Sequence, residues 1–392
     1  MKYSKFLTSM TLVAGLCATS LASAKSIDTV TIGVVMPLSG PFASYGKQIK
    51  HGIDVYLQEH GDTVAGRKIE LIYKDDTGID PALAKRLSQQ LLTQDKVDIL
   101  AGYALTPNAF ASAPLTIQTK TPMIILNAAT SSITEKSPYI TRVSMTLAQN
   151  TAPMAQWAYD NGIRKAYTLV ADYGPGHDAE KQFKETFTAL GGEVSEAIRT
   201  PVKTIDYAPY LQRIKDGHPD AVFMFVPNGE PGIALAKGYK ERGLYDAGIK
   251  ALATGDVTDE DVLDAMGDSA IGMITSDHYS EAHVSPENAK FKTTYAKLFP
   301  KDRPNFQAVA GYDGMHLIYK ALEQTKGNAQ GDAFIDAVKG MKWISPRGPV
   351  EIDPDTRDII QTVYIREVKR VDGLLQNVEF DQVAAVKDPG KK

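Results

Sequence analysis

An α/β fold with parallel sheets is what this sequence predicts, and three observations carry it. Short apolar runs alternate with segments of helical period along the chain. Several of those runs are continuously apolar, as strands buried on both faces are. Strand and helix alternate at the spacing of right-handed crossovers between parallel strands. The length, 392 residues, suggests two domains of ordinary size.

The strands are expected, in order, at 29–36 (TVTIGVVM), 68–75 (KIELIYKD), 97–103 (VDILAGY), 121–127 (TPMIILN), 165–172 (KAYTLVAD), 221–226 (AVFMFV), 250–256 (KALATGD) and 270–276 (AIGMITS). Helical stripes fall between them. Ile49, Ile53, Tyr56 and Leu57 share one face, as do Leu83, Leu87, Leu91 and Leu92, and Tyr210, Leu211 and Ile214.

In parallel α/β sheets, ligands bind in the crevice beyond the carboxyl ends of the strands. Hydroxyls, glycines and aromatics recur at those tips: "PLSGPFASYG", "YALTPN", "NAATSS", "DYGPGHD", "PNGE" and "GDVTDED". Tyr45, a lone aromatic at the lip of the first strand, therefore faces a crevice rather than a core. Thr130, Ser131 and Ser132 are three adjacent hydroxyls at a strand-to-helix turn. With free backbone N–H groups they suit a carboxylate, although one such hydroxyl serves equally as an ordinary N-cap. Thr106 occupies the same kind of place on another strand and favours the anion site. Tyr173, before a Gly-Pro-Gly turn, is placed to stack on a ligand or hydrogen-bond it. Asp172, His177 and Asp178 match no strong metal spacing and read as a solvated turn.

Signals for catalysis are weak. There is no G-x-S-x-G elbow, no P-loop and no H-E-x-x-H. The seven histidines are scattered, and the densest group, "SDHYSEAH" with His278 and His283, has no partner nucleophile near it in sequence. No G-x-G-x-x-G follows the first strand, so a dinucleotide is not expected. No cofactor and no metal are expected.

The N-terminus reads as a secretory signal over residues 1–24. Lys2 and Lys5 precede an apolar run from Met10 to Leu21, and Ala22-Ser23-Ala24 suits cleavage. The single cysteine, Cys17, lies inside this segment behind Leu16, a poor context for lipid attachment. Loss of the segment takes the formal charge from −4 to −6, which argues against a nucleic-acid partner. No later stretch is long and apolar enough to span a membrane.

With these residues placed, the chain resembles the periplasmic solute-binding proteins of the branched-chain amino-acid transport family. The resemblance spans the mature chain. It rests on "IGVVMPLSGPFASYG", "ELIYKDDTGIDPALAKRLSQQLL", "AATSSIT", "DYGPG", "GDSAIGMITS" and "AGYDGMHLIYKALEQT" in that order. It implies two doubly wound α/β lobes joined by a three-segment hinge, the type I periplasmic binding protein fold. The lobes would comprise 27–145 with 276–343, and 146–275 with 344–386. It also implies a monomer that passes a small ligand to the membrane permease of an ABC importer.

Matched residue by residue, Thr106, Thr130 and the backbone of Ala129 would hold a ligand carboxylate, and Tyr45 and Tyr173 would wall the cleft. Phe225 and His278 are further candidates for that wall. Two departures bear on the ligand. The family's acidic partner for an ammonium falls at Gly255, with Asp256 beside it, and a second tyrosine expected near 226–228 is replaced by "VPN". Either Asp256 meets an amino acid's ammonium, or it caps the helix that "VTDEDVLDAM" begins and the ligand is an aromatic or hydrophobic carboxylate. Amide or urea binders and a sensor domain share the fold; a two-domain enzyme is the remaining class.

Overall fold

The computed structural model describes residues 28–391, so the expected signal segment and Cys17 lie outside the described residues. The first sheet contains β1 (Thr29–Met36), β2 (Thr63–Val64), β3 (Arg67–Asp75), β4 (Ile99–Gly102), β5 (Met123–Ile125) and β6 (Ile140–Arg142), in the order β2-β3-β1-β4-β5-β6. All but β2 run parallel. Its crossovers are α1 (Ala43–His60), α2 (Pro81–Thr93) and α3 (Thr106–Thr119).

The second sheet begins after α4 (Leu147–Asp160). It takes β7 (Lys165–Ala171), β8 (Glu193–Thr200), β9 (Ala221–Phe225), β10 (Lys250–Thr254) and β11 (Ile274–Asp277), all parallel. Their connections are α5 (Gly174–Ala189), α6 (Ala208–Gly217), α7 (Glu230–Glu241) and the short α8 (Leu263–Met266). The chain then returns to the first sheet's side with α9 (Pro286–Leu298), α10 (Phe306–Gln324) and α11 (Gly331–Val338). It finishes in β12 (Lys342–Ser345), β13 (Gly348–Ile352), β14 (Ile359–Val371) and β15 (Leu374–Val386). The order is β12-β13-β14-β11-β10-β9-β7-β8, with β15 also on β14.

Two of the three helical stripes face the cores as expected; in α2 the buried face is Ala84, Ser88 and Leu91, and Leu83 and Leu87 are only half-buried. Ile49, Ile53 and Tyr56 pack with Met315 and Ile318 of α10, and Leu211 and Ile214 lie in the core of the second sheet. Three expectations need correction. The second sheet is mixed, because β14 runs antiparallel to β11. β8 and β12 to β15 escape a search for continuous apolar runs. β8 lies at the sheet edge with every second residue exposed, and edge strands carry charge that blocks further pairing. The strand expected at 270–276 starts only at Ile274, since a turn closes Met273 N–H onto the Ala270 carbonyl.

The chain passes between the sheets three times, after β6, after β11 and after α11. Buried ion pairs tie these crossings. Arg142 donates to Asp358 through Nε at 2.7 Å, and Arg347 pairs with Asp313 at 2.9 Å while donating to the carbonyls of Val143 and Ser144. No described helix is long and apolar enough to cross a membrane.

Candidate ligand-binding site

Strand order locates the site. Strand β1 has β3 on one side and β4 on the other, so the winding direction reverses between β1 and β4. In the second sheet it reverses between β7 and β9. Crevices open at such reversals, beyond the carboxyl ends of the strands. Tyr45 and Thr106 follow β1 and β4, while Tyr173 follows β7 and Phe225 ends β9. These residues meet in one cavity lined by Tyr45, Thr106, Asn127, Ala129, Tyr173, Phe225 and Asp256 among polar and aromatic groups. Leu105, Met145, Leu147 and Pro175 complete an apolar wall.

Local sequence sets each side chain. Tyr45 sits in the first turn of α1, and Gly46 lets that turn press on the end of β1: a Cβ there would lie 1.9 Å from the Pro37 carbonyl oxygen. Helices α3 and α5 both start with proline in the first turn and without a side-chain cap, as a pre-formed first turn allows. Their free N–H groups and positive dipole ends favour an anion. Gly174, at the start of α5, brings the second sheet's side against the first: a Cβ on it would fall 2.7 Å from Thr130 Oγ1 and 3.6 Å from Thr106 Cγ2. Thr106 Oγ1, Thr130 Oγ1 and Asn127 Oδ1 are buried and have no hydrogen-bond partner. A buried polar atom left unpaired is costly. The two hydroxyls can donate to a carboxylate beside the two uncapped helix starts, whereas Asn127 Oδ1 only accepts and its amide nitrogen is spent on the Ala104 carbonyl at 2.9 Å.

The turn carrying Thr130 is held from behind. Arg142 donates to the carbonyls of Ala128 and Thr130 at 3.0 and 2.8 Å. Of the neighbouring hydroxyls, Ser131 is turned away: its Oγ donates to Asp388 and its N–H to Asp178 Oδ2 at 2.9 Å. Asp178 is thus spent on the backbone, while His177 and Asp172 pair at 2.6 Å on the surface.

The aromatic side is equally defined. Tyr173 and Phe225 stack with ring centroids 6.0 Å apart and planes 19° from parallel. Burial first, then neighbouring negative charge, pushes both Tyr45 and Tyr173 upward, so both stay neutral. The walls enclose a small slot of about 20 Å³. A larger groove of about 730 Å³ lined by Arg67, Asp98, Lys120 and Asp332 lies at the opposite, amino-terminal ends of β4 and β5, away from both crevices.

Asp256 corrects one expectation. It caps no helix: it sits in a 3₁₀ turn, Gly255–Thr258, and the next helix, α8, starts only at Leu263. The cap fails because that segment folds as buried 3₁₀ turn and loop. Its carboxyl lines the cavity, with Oδ2 accepting from Thr254 Oγ1 at 3.1 Å. Burial, with Asp277 and Asp259 close by, raises its pKa to about 8, which favours the protonated form. His278 does not line the cavity. It is fully buried beside Asp277 at 2.8 Å and edge-on to Phe306, and burial lowers its pKa. Asn127, Leu105, Met145, Leu147 and Pro175 were not anticipated. Asn127 carried a signal as the polar residue ending an apolar run, and Pro175 as part of the Gly-Pro-Gly turn after Tyr173; Leu105, Met145 and Leu147 look like core.

Comparison with known proteins agrees with this geometry. Residues 29–373 match the model of the periplasmic binding protein family, and the chain belongs to that family. It is 46% identical over 373 residues to Leu/Ile/Val-binding protein homolog 6 of Brucella melitensis, covering 95% of this chain and 96% of the relative. The crystal structure of an ABC-transporter solute-binding protein from Rhodopseudomonas palustris BisB5, in complex with 3,4-dihydroxybenzoic acid, superposes with a TM-score of 0.90 at 53% identity, covering 93% of this chain and 100% of that one. A second, from R. palustris HaA2 in complex with p-hydroxybenzoic acid, gives 0.91 at 48% identity over 93% and 99%.

Proposed function

We propose that this solute-binding protein of an ABC importer captures a flat aromatic carboxylate of the benzoate type rather than an aliphatic amino acid. The carrying observation is the asymmetry of the site: the partnerless hydroxyl of Thr106 lines the slot, that of Thr130 lies beside it near Gly174 but off the lining, two helix starts share that end, and the single lining carboxyl, Asp256, is held towards its protonated form by burial. An ammonium needs an ionised partner when buried, and to provide one Asp256 would have to ionise beside Asp277 and Asp259. A flat ring needs only the small apolar space between Tyr45, Tyr173 and Leu105. The hydroxybenzoate complexes of the two Rhodopseudomonas proteins support the same reading, against the Leu/Ile/Val name of the Brucella relative.

Thr106, Thr130 and the backbone of Ala129 hold the carboxylate, and Tyr45, Tyr173 and Phe225 wall the ring. The slot has no base poised on a nucleophile, and we read it as a capture site without catalysis. The lobes built on the two sheets close on the ligand and the protein acts as a monomer in the periplasm, exported by the cleavable segment 1–24, handing its solute to a membrane permease.

A thermal-shift screen of benzoates and cinnamates against leucine, isoleucine and valine tests this. Ligand at about a hundred times its Kd adds ~2.7 kcal/mol to stability. A shift with the aromatic acids and none with the aliphatic amino acids is expected. The reverse pattern returns Asp256 to the ammonium.

A further inference from the structure

We propose that the Asp256 carboxyl is the specificity-determining group of the slot, hydrogen-bonding a hydroxyl on the ligand ring at the end opposite its carboxylate. The inference rests on the aromatic-acid reading above and goes one step further, to which aromatic acids are preferred.

Position comes first. The carboxylate end is gathered at Thr106, Thr130 and Gly174, and Gly174 follows β7. Asp256 follows β10, which lies two strands from β7 with β9 between them. Two strand spacings are about 10 Å, the scale of a benzene ring with polar groups at both ends and a hydrogen bond at each. Phe225, at the end of the intervening β9, lies between the two polar ends and stacks with Tyr173.

Bonding capacity comes second. Asp256 is only 6% exposed and lines the slot. Among the described residues, its one side-chain partner is Thr254, on Oδ2. Its own backbone N–H also lies against the carboxyl, and among the described residues no other side chain competes with a ligand for it. A protonated carboxyl both donates and accepts, so it matches a phenolic hydroxyl, which does the same. Burial beside Asp277 and Asp259 keeps the proton on. A ligand without the hydroxyl leaves this buried group unpaired, and sites built to bond a hydroxyl reject analogues lacking it more strongly than apolar pockets reject a methylene.

The test is calorimetric titration of the full mature chain with benzoate, 4-methylbenzoate and 4-hydroxybenzoate. The wild type should prefer 4-hydroxybenzoate to both others by about tenfold or more, the worth of one well-made buried hydrogen bond. In Asp256→Asn, an uncharged group that still donates and accepts, the preference should survive. In Asp256→Leu the ratio should collapse towards one. A wild type that binds 4-methylbenzoate as tightly as 4-hydroxybenzoate overturns the proposal and leaves the aromatic-acid reading standing. So does Asp256→Leu with the wild-type ratio. A wild type that binds none of the three acids overturns both.

Discussion

Among single residues, the hydroxyls of Thr106 and Thr130 carry the clearest burden, since burial leaves them nothing in the protein to bond. A hydrogen bond to a charged acceptor is worth ~1.5–3 kcal/mol. Thr130→Val keeps the shape and removes the donor, so Kd for the ligand should rise about tenfold or more; unchanged calorimetric affinity would take Thr130 out of the site. Asp256 gives a pH signature. Its free-state pKa is about 8, and an anionic ligand beside it favours the protonated form further. Affinity should therefore be flat below pH 8 and fall above it, by at most about tenfold per pH unit. Of the groups around it, Asp277 and Asp259 oppose its ionisation and the hydrogen bond from Thr254 favours it, while Tyr45 and Tyr173 stay neutral. Asp256→Asn should flatten the profile, and a wild-type affinity that rises above pH 8 would contradict the assignment. At this scale the sequence was informative wherever a polar or aromatic residue stood at a strand tip, as with Tyr45, Thr106 and Tyr173. It was silent on Leu105 and Met145, because an apolar wall of a cleft and an apolar core obey the same pattern. It misplaced His278, whose dense polar neighbourhood in sequence is folded into a buried ion-pair network.

Among elements, two winding reversals and two uncapped helix starts make the site. The parallel strands were legible because burial on both faces leaves continuous apolar runs. Strand ends were not: β10 stops at Thr254, and the 3₁₀ turn Gly255–Thr258 forms part of the cavity wall through Asp256. β14 and β15 were missed because a long antiparallel pair with an exposed outer strand mixes polar and apolar residues. The start of α5 offers a direct test of the helix-start account. Gly174→Ala places a methyl 2.7 Å from Thr130 Oγ1. Overpacking of this kind costs ~1–3 kcal/mol, and here it falls on the ligand's space. Ligand affinity should drop about tenfold or more, beyond the lowering of the ligand-free melting temperature that the same overpacking brings. A variant that binds normally would show that α5 does not border the carboxylate.

For the whole molecule, the two sheets are joined through crossings whose buried charges must stay matched. Asp358 accepts from Arg142 and Thr134 and lies 3.0 Å from Lys391 Nζ. Asp358→Ala strands a buried guanidinium, which typically costs ~3–5 kcal/mol; urea unfolding should show that loss, and an unchanged midpoint would mean that water reaches Arg142. We propose that the same crossings let the lobes close on a ligand that touches both, with binding selecting the closed arrangement. The claim on which the rest depends is that a flat aromatic acid lies in the slot between the sheets, carboxylate towards Thr106 and Thr130. A crystal structure of the protein with 4-hydroxybenzoate measures this directly. The account predicts carboxylate oxygens within hydrogen-bonding distance of Thr106 Oγ1 and Thr130 Oγ1, the ring beside Tyr173, and the hydroxyl facing Asp256. A carboxylate turned towards Asp256, or a ring bound outside the slot, would contradict it.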